Sequence, residues 1–132
     1  MTFLLDTNIC SFYLRQHPLV YQKMMQHQGQ LAISTITWAE LHTWAARSSA
    51  PKSRLNSLFG LLNDVDLLIV DRTVAETFGY LRAELRRQGN PVPELDAIIA
   101  ATALTHSLIL VTNNSKDFAR ISNLTLQDWT HP

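Results

Sequence analysis

Two periodicities alternate along the chain. Short apolar runs, several of them β-branched, are separated by longer stretches whose apolar positions recur at helical spacing. The short runs predict strands at Phe3–Leu5, Leu31–Ser34, Leu67–Val70 and Ile109–Thr112, with a weaker fifth at Leu124–Trp129. The stretches between them predict helices near Asn8–Arg15, Pro18–Gln28, Thr37–Ser48, Lys52–Leu62, Thr73–Gln88 and Leu95–His106, then a short one near Lys116–Ile121. Strands separated by helices imply an α/β fold, a parallel sheet covered by helices on both faces. Gly89-Asn90-Pro91 ends one helix and Pro93 precedes the next, as chain breakers do. No repeat, low-complexity tract or linker interrupts residues 1–132, so a single domain is expected.

Three of the helical patterns carry more information than the rest. Leu95-Asp96-Ala97-Ile98-Ile99-Ala100-Ala101-Thr102-Ala103-Leu104 is apolar almost all round, the mark of a buried helix, and Asp96 is its single charge. Along Thr37–Ser48, Trp38, Leu41, Trp44 and Ala45 form a stripe, and Leu55, Leu58, Phe59 and Leu62 form another along Lys52–Leu62. Such stripes either pack on the sheet or leave a groove for a partner helix, lined by Trp38, Trp44, Leu55 and Phe59.

Composition adds bounds rather than detail. At 46% hydrophobic and 17% charged the chain has the make-up of an ordinary soluble protein. No charged-then-apolar leader opens it, and no apolar run approaches the roughly 20 residues of a membrane span, so a cytoplasmic location is expected. Cys10 is the only thiol, which excludes an internal disulfide and fits a small hydrophobe in a reducing compartment. Eleven basic residues balance eleven acidic ones. A net charge of zero is not the footprint of bulk electrostatic grip on nucleic acid, so an RNA ligand would need bound cations or a local basic patch.

Position sorts the acids. Asp64, Asp66, Asp71, Glu76, Glu84 and Asp128 sit in connections or among exposed helix charges, and Glu94 fits turn chemistry or the periphery of a site. Asp6 ends the first strand in Leu4-Leu5-Asp6-Thr7-Asn8, where open α/β sheets gather their ligands, although an acid there also caps the next helix. Glu40 follows the second strand and is either the far member of a capping box, Thr37-Trp38-Ala39-Glu40, or a site acid. Asp96 suits a helix N-terminus by about 0.3–1 kcal/mol, yet a carboxylate on a buried helix needs a partner or a metal. Asp117 lies in the first turn of a short helix that Ser115 is placed to cap, after Thr112-Asn113-Asn114.

Parallel strands bring their ends to one edge, so three or four of these acids could converge. Two carboxylates ~4 Å apart repel by about 4 kcal/mol at an effective dielectric near 20. Such a cluster stays ionised at neutral pH only beside cations. Oxygen ligands without His or Cys select Mg²⁺, with Mn²⁺ as a substitute. His42, two positions past Glu40, falls on the other side of its helix and is a poor co-ligand.

Taken together, four segments resemble the PIN-domain ribonucleases, specifically the VapC-type toxins of bacterial toxin–antitoxin pairs. They are Leu4–Asn8, Thr37–Leu41, Leu95–Leu104 and Leu110–Phe118, and they keep the family's order over nearly the whole chain. The resemblance implies a three-layer PIN-like sandwich with a central parallel sheet of about four to five strands. It also implies Asp6, Glu40 and Asp96 as metal-binding acids for Mg²⁺-dependent hydrolysis of RNA, with tRNA as the leading substrate. Asn114 stands where many relatives carry an acid, which leaves Asp117 or Asn114 for the fourth role. Thr7, Asn8, Thr112 and Asn114 would fix carboxylate geometry. Arg47, Arg54, Lys116 and Arg120 would contact RNA phosphates. A VapB-type antitoxin and a homodimeric state are the partners implied.

Two other classes compete. A PIN-like module without catalysis would keep the fold and bind partners only. A phospho-acceptor receiver domain also places Asp at strand ends, but it pairs two acids after the first strand, and here Asp6 stands alone.

Overall fold

Alternate residues of the first strand serve two different cores. In β1 (Phe3–Leu5), Phe3 and Leu5 face one side of the sheet and Leu4 the other, the period-two pattern of a strand covered on both faces. The same split recurs in β2 (Leu31–Ser34), where Leu31 and Ile33 join the first core and Ala32 the second. It recurs again in β4 (Ile109–Val111), with Val111 in one core and Leu110 in the other. The computed structural model describes Met1–Pro132. With β3 (Asp66–Leu68) and β5 (Leu126–Gln127) the strands form one sheet in the order β3-β2-β1-β4-β5, and every pairing is parallel.

Four helices cover the first face: α1 (Thr7–Leu14), α2 (Pro18–Gln26), α3 (Thr35–Ala46) and α4 (Pro51–Leu61). Three cover the second: α5 (Arg72–Arg87), α6 (Glu94–His106) and α7 (Ser115–Phe118). This is the three-layer sandwich expected. The strand order departs from that of receiver domains, which run 2-1-3-4-5, and sets that alternative aside. No helix is long and apolar enough to cross a membrane.

The helix starts follow from side chains that take up free backbone N–H groups. Asp6 accepts from Ile9 N–H, Ser34 from Thr37 N–H and Asp71 from Val74 N–H, while Pro18 and Pro51 open α2 and α4. α5 closes into Gly89, whose φ of +69° suits glycine past a helix end. α6 is buried along Ala97 and Ile99–Ala103, as its apolar run predicts. Cys10 is fully buried, and burial pushes its thiol well above the ordinary range.

Several expectations are corrected. The capping box does not form: α3 begins at Thr35 with Ser34 as its cap, and Thr37 already lies inside the helix. Ser115 is the first residue of α7 rather than its cap, a position held by Asn114. β3 occupies Asp66–Leu68 rather than Leu67–Val70, because its backbone partner Ser34 is the last residue of β2. The stripe on α4 is out of phase: Leu58 and Leu61 enter the core, and Leu55 and Phe59 stay exposed. β5 is only two residues long, with Trp129 buried beyond it between Phe3 and His27.

Candidate functional site

The carboxyl ends of β1, β2 and β4 lie side by side in the middle of the sheet, and the acids gather there. Register pairs Leu5 with Val111, so Asp6 and Thr112 follow on adjacent strands. Asp6, Thr7, Asn8, Glu40, Asp96, Asn114 and Phe118 line one cleft of about 90 Å³. α1, α3 and α6 each deliver one acid to it, all from their first two turns or the residue just before.

Asp6 is the most enclosed, at 6% exposure. Burial is the main cause that pushes its carboxyl up to about 6. The Thr112 hydroxyl and Ile9 N–H pull it down, and the charges of Asp96 and Glu40 push it up again. Asp6 therefore fills both roles the sequence leaves open, helix cap and cleft acid. Asp96 is half-buried and also raised, first by burial and then by Glu40 and Asp117. Each of these acids senses others, which places them close enough for charge to be felt.

Hydroxyl and amide groups fix the geometry. The Thr7 hydroxyl donates to Glu40 Oε1 at 2.6 Å, and Thr37 Oγ1 lies 3.3 Å from Thr7 Oγ1. The Asn114 amide donates to Asp117 Oδ2 at 2.9 Å, while Asn114 N–H donates to Thr112 Oγ1. Asn8 Nδ2 reaches Asn113 Oδ1 at 3.4 Å and ties the two strand ends together. Thr37 and Asn113 were not anticipated as members of this network. Thr37 has a capping pattern that disguises it, and Asn113 has no signal beyond its place at a strand end.

Asp117 does not line the cleft. It stands behind Asn114, within range of Asp96. Arg47 and Arg54 border an adjoining cavity, whereas Arg120 lines a different one beside Tyr80, Leu81 and Glu84 of α5. Lys116 is exposed on α7. His42 bonds the Trp38 carbonyl oxygen and packs against the Trp38 and Phe59 rings, away from the acids. Trp38 and Trp44 are half-buried, so the apolar surface between α3 and α4 is only partly consumed by the core.

The donor set consists of oxygens, and no three of the acids close onto one point as a ligand cage. An all-oxygen set of this kind fits a hard divalent cation that keeps part of its water shell. No His or Cys lines the cleft, and those are the side chains from which structural zinc sites are built. A cation here would also relieve the mutual repulsion of Asp6, Glu40 and Asp96.

Comparison with known proteins bears on the same residues. A family model for the PIN domain matches residues 3–124. The chain is 39% identical over 131 residues to the tRNA(fMet)-specific endonuclease VapC of Shigella flexneri, covering 98% of this chain and 99% of that one. It is 34% identical over 130 residues to the ribonuclease VapC2 of Haemophilus influenzae, covering 98% of each. Among solved structures, DNA-bound VapBC from Salmonella typhimurium superposes with a TM-score of 0.93 at 35% identity, covering 98% of each chain.

Proposed function

The chain belongs to the PIN-domain family, in its VapC ribonuclease branch, and from that premise we propose that its acidic cleft hydrolyses RNA phosphodiesters with Mg²⁺ held by Asp6 and Asp96. It is a metal-dependent nuclease of a toxin–antitoxin pair. The observation that carries the reading is the convergence of Asp6, Glu40 and Asp96 on one cleft at the centre of the sheet edge. Such a cation, when bound, supplies Lewis-acid activation of water and of a phosphoryl oxygen.

The protein's own groups prepare that chemistry. Asp6 is fixed from two sides, by Ile9 N–H and by Thr112, so its carboxylate cannot swing out of the cleft. Glu40 is held by Thr7 and faces the same space, placed to accept a hydrogen from the attacking water and aim its lone pair at phosphorus. Asn114 holds Asp117, and that fourth acid stays outside the cleft lining. Phe118 forms the one apolar wall of the cleft.

We take tRNA as the substrate class, on the strength of the Shigella relative's name and its near-complete coverage. The partner class is a VapB-type antitoxin, supported by the solved complexes of similar chains. We further take the chain to act in the cytoplasm as a homodimer. The test is incubation of the purified chain with total tRNA and Mg²⁺, followed by mapping of new 5′ ends. One dominant cut, absent in EDTA and in Asp96→Asn, is expected. Cleavage that persists in EDTA would overturn the reading.

A further inference from the structure

A second, larger cavity opens against the acidic cleft. It holds about 530 Å³ between α1, α3 and α4, and Thr7, Asn8 and Glu40 belong to the walls of both spaces. Its remaining lining includes Trp44, Arg47 and Arg54. Neither arginine is in an ion pair. The Arg54 guanidinium lies over the Trp44 ring, 4.3 Å from its centroid.

An RNA backbone that enters the cleft meets Asp6, Glu40 and Asp96, with Asp117 behind them. The chain as a whole offers no compensating attraction, since its net charge is zero. Exposed charges further away than a Debye length, about 8 Å at physiological salt, are largely screened. Arg47 and Arg54 supply positive charge in the wall of the cavity that shares Thr7, Asn8 and Glu40 with the cleft. An arginine fork suits a phosphate bidentately, and its flat face stacks on rings. The volume lies within the roughly 300–1,000 Å³ of pockets that hold small organic ligands.

Resting on the ribonuclease reading above, we propose that this cavity is a nucleotide subsite. It receives the nucleotide next to the scissile phosphodiester: Arg47 and Arg54 take its phosphate, and the Arg54–Trp44 stack takes the face of its base. The acidic cleft then does the chemistry while the cavity sets which phosphodiester lies over it.

The test uses an RNA that the wild-type chain cleaves, labelled and bound by the full chain carrying Asp96→Asn. In that background Arg47→Ala and Arg54→Ala should each weaken binding about tenfold, the loss of one charge-assisted contact. Each should also flatten the dependence of log K on log salt by about 0.7, one phosphate contact to a single strand. Arg54→Lys should keep the slope and still bind more weakly, because charge remains and the planar stack is gone. Lys23→Ala on α2 should change neither quantity. Thermal melting of each variant guards against misfolding, and exposed Arg47 tests the idea even if Arg54→Ala melts early.

Unchanged affinity and slope in both arginine variants, with cleavage still abolished by Asp96→Asn, would overturn the subsite and leave the nuclease intact. Variants that keep the RNA slope but lose antitoxin binding would assign the cavity to a protein partner, which also overturns it. A wild-type chain that cleaves no RNA with any divalent ion would take both readings down.

Discussion

The corners after β1 and β4 are neighbours in the sheet, and they treat a carboxylate in opposite ways. After β1 the acid comes first: Asp6 is the cap of α1, buried to 6% exposure, and its proton affinity rises with its burial. After β4 the amides come first, and the acid follows a turn later, half-buried and held by Asn114. One corner buries a hydrogen-bonded carboxylate in the cleft with no positive side chain paired to it. Its neighbour spends its polar groups on the backbone and on each other. The cap position alone does not bury a carboxylate, since Asp71 caps α5 and stays exposed; Asp6 is buried because its strand is the central one of the sheet.

The largest break in this comparison should come from Asp6→Asn. Asparagine caps a helix as well as aspartate does, so α1 keeps its start. RNA cleavage should nevertheless fall by about a thousandfold or more, the loss of several kcal/mol of transition-state stabilisation. Asp96→Asn should match it. Steady-state cleavage assays at fixed Mg²⁺ measure both, and near-normal turnover in either would remove that residue from the metal site.

A second effect reads the β1 corner through stability. In metal-free buffer the folded state holds the Asp6 proton up to about pH 6, while the unfolded chain releases it near 3.8. Below 3.8 both states are protonated and nothing is lost. Between the two values only the folded state is protonated, so stability declines as pH rises, by about 3 kcal/mol once pH passes 6. Asp6→Asn should remove this decline and melt higher than wild type at pH 7 in EDTA. Denaturant titrations at pH 4 and pH 7 would expose the error if the two proteins keep a constant difference.

Thr7→Val removes the hydroxyl that holds Glu40 and should lower activity about 10–100-fold with little change in fold. A change confined to Mg²⁺ affinity would instead tie Thr7 to ion binding alone. The smallest effect belongs to the β4 corner. Asp117→Ala should cost about tenfold, in the range of groups that support a metal site from behind, and Asp128→Ala, at a residue past β5 that hydrogen-bonds only Thr130, nothing in cleavage. Equal rates for these two variants would reduce Asp117 to a helix-terminus charge.

The layers, the strand sequence and the buried α6 were legible because period-two and near-continuous apolar patterns survive in one dimension. The phase of α4 was not. Leu58 with Leu61 and Leu55 with Phe59 are both helical spacings, and only the position of α3 decides which pair is buried. Ser34 hid in the end of a strand, so Thr37 drew the capping pattern to itself. Asp6, Glu40 and Asp96 were reachable from their positions at element boundaries. The bonds Thr7 to Glu40 and Asn8 to Asn113 were not, since they join segments that only the closed sheet brings together.

The pairing of Phe3–Leu5 with Ile109–Val111 carries a consequence for synthesis. The central strand is made before both of its partners and must wait for β4 until residues 109–111 have been made. Until then Asp6 has neither Thr112 beside it nor Asp96 across from it, and the acids that make a nuclease are spread along an unfinished polypeptide. Contacts of such long sequence separation form late. A nascent chain that stops short of β4 therefore lacks the assembled cleft, and the site comes into being only after Thr112 has been made.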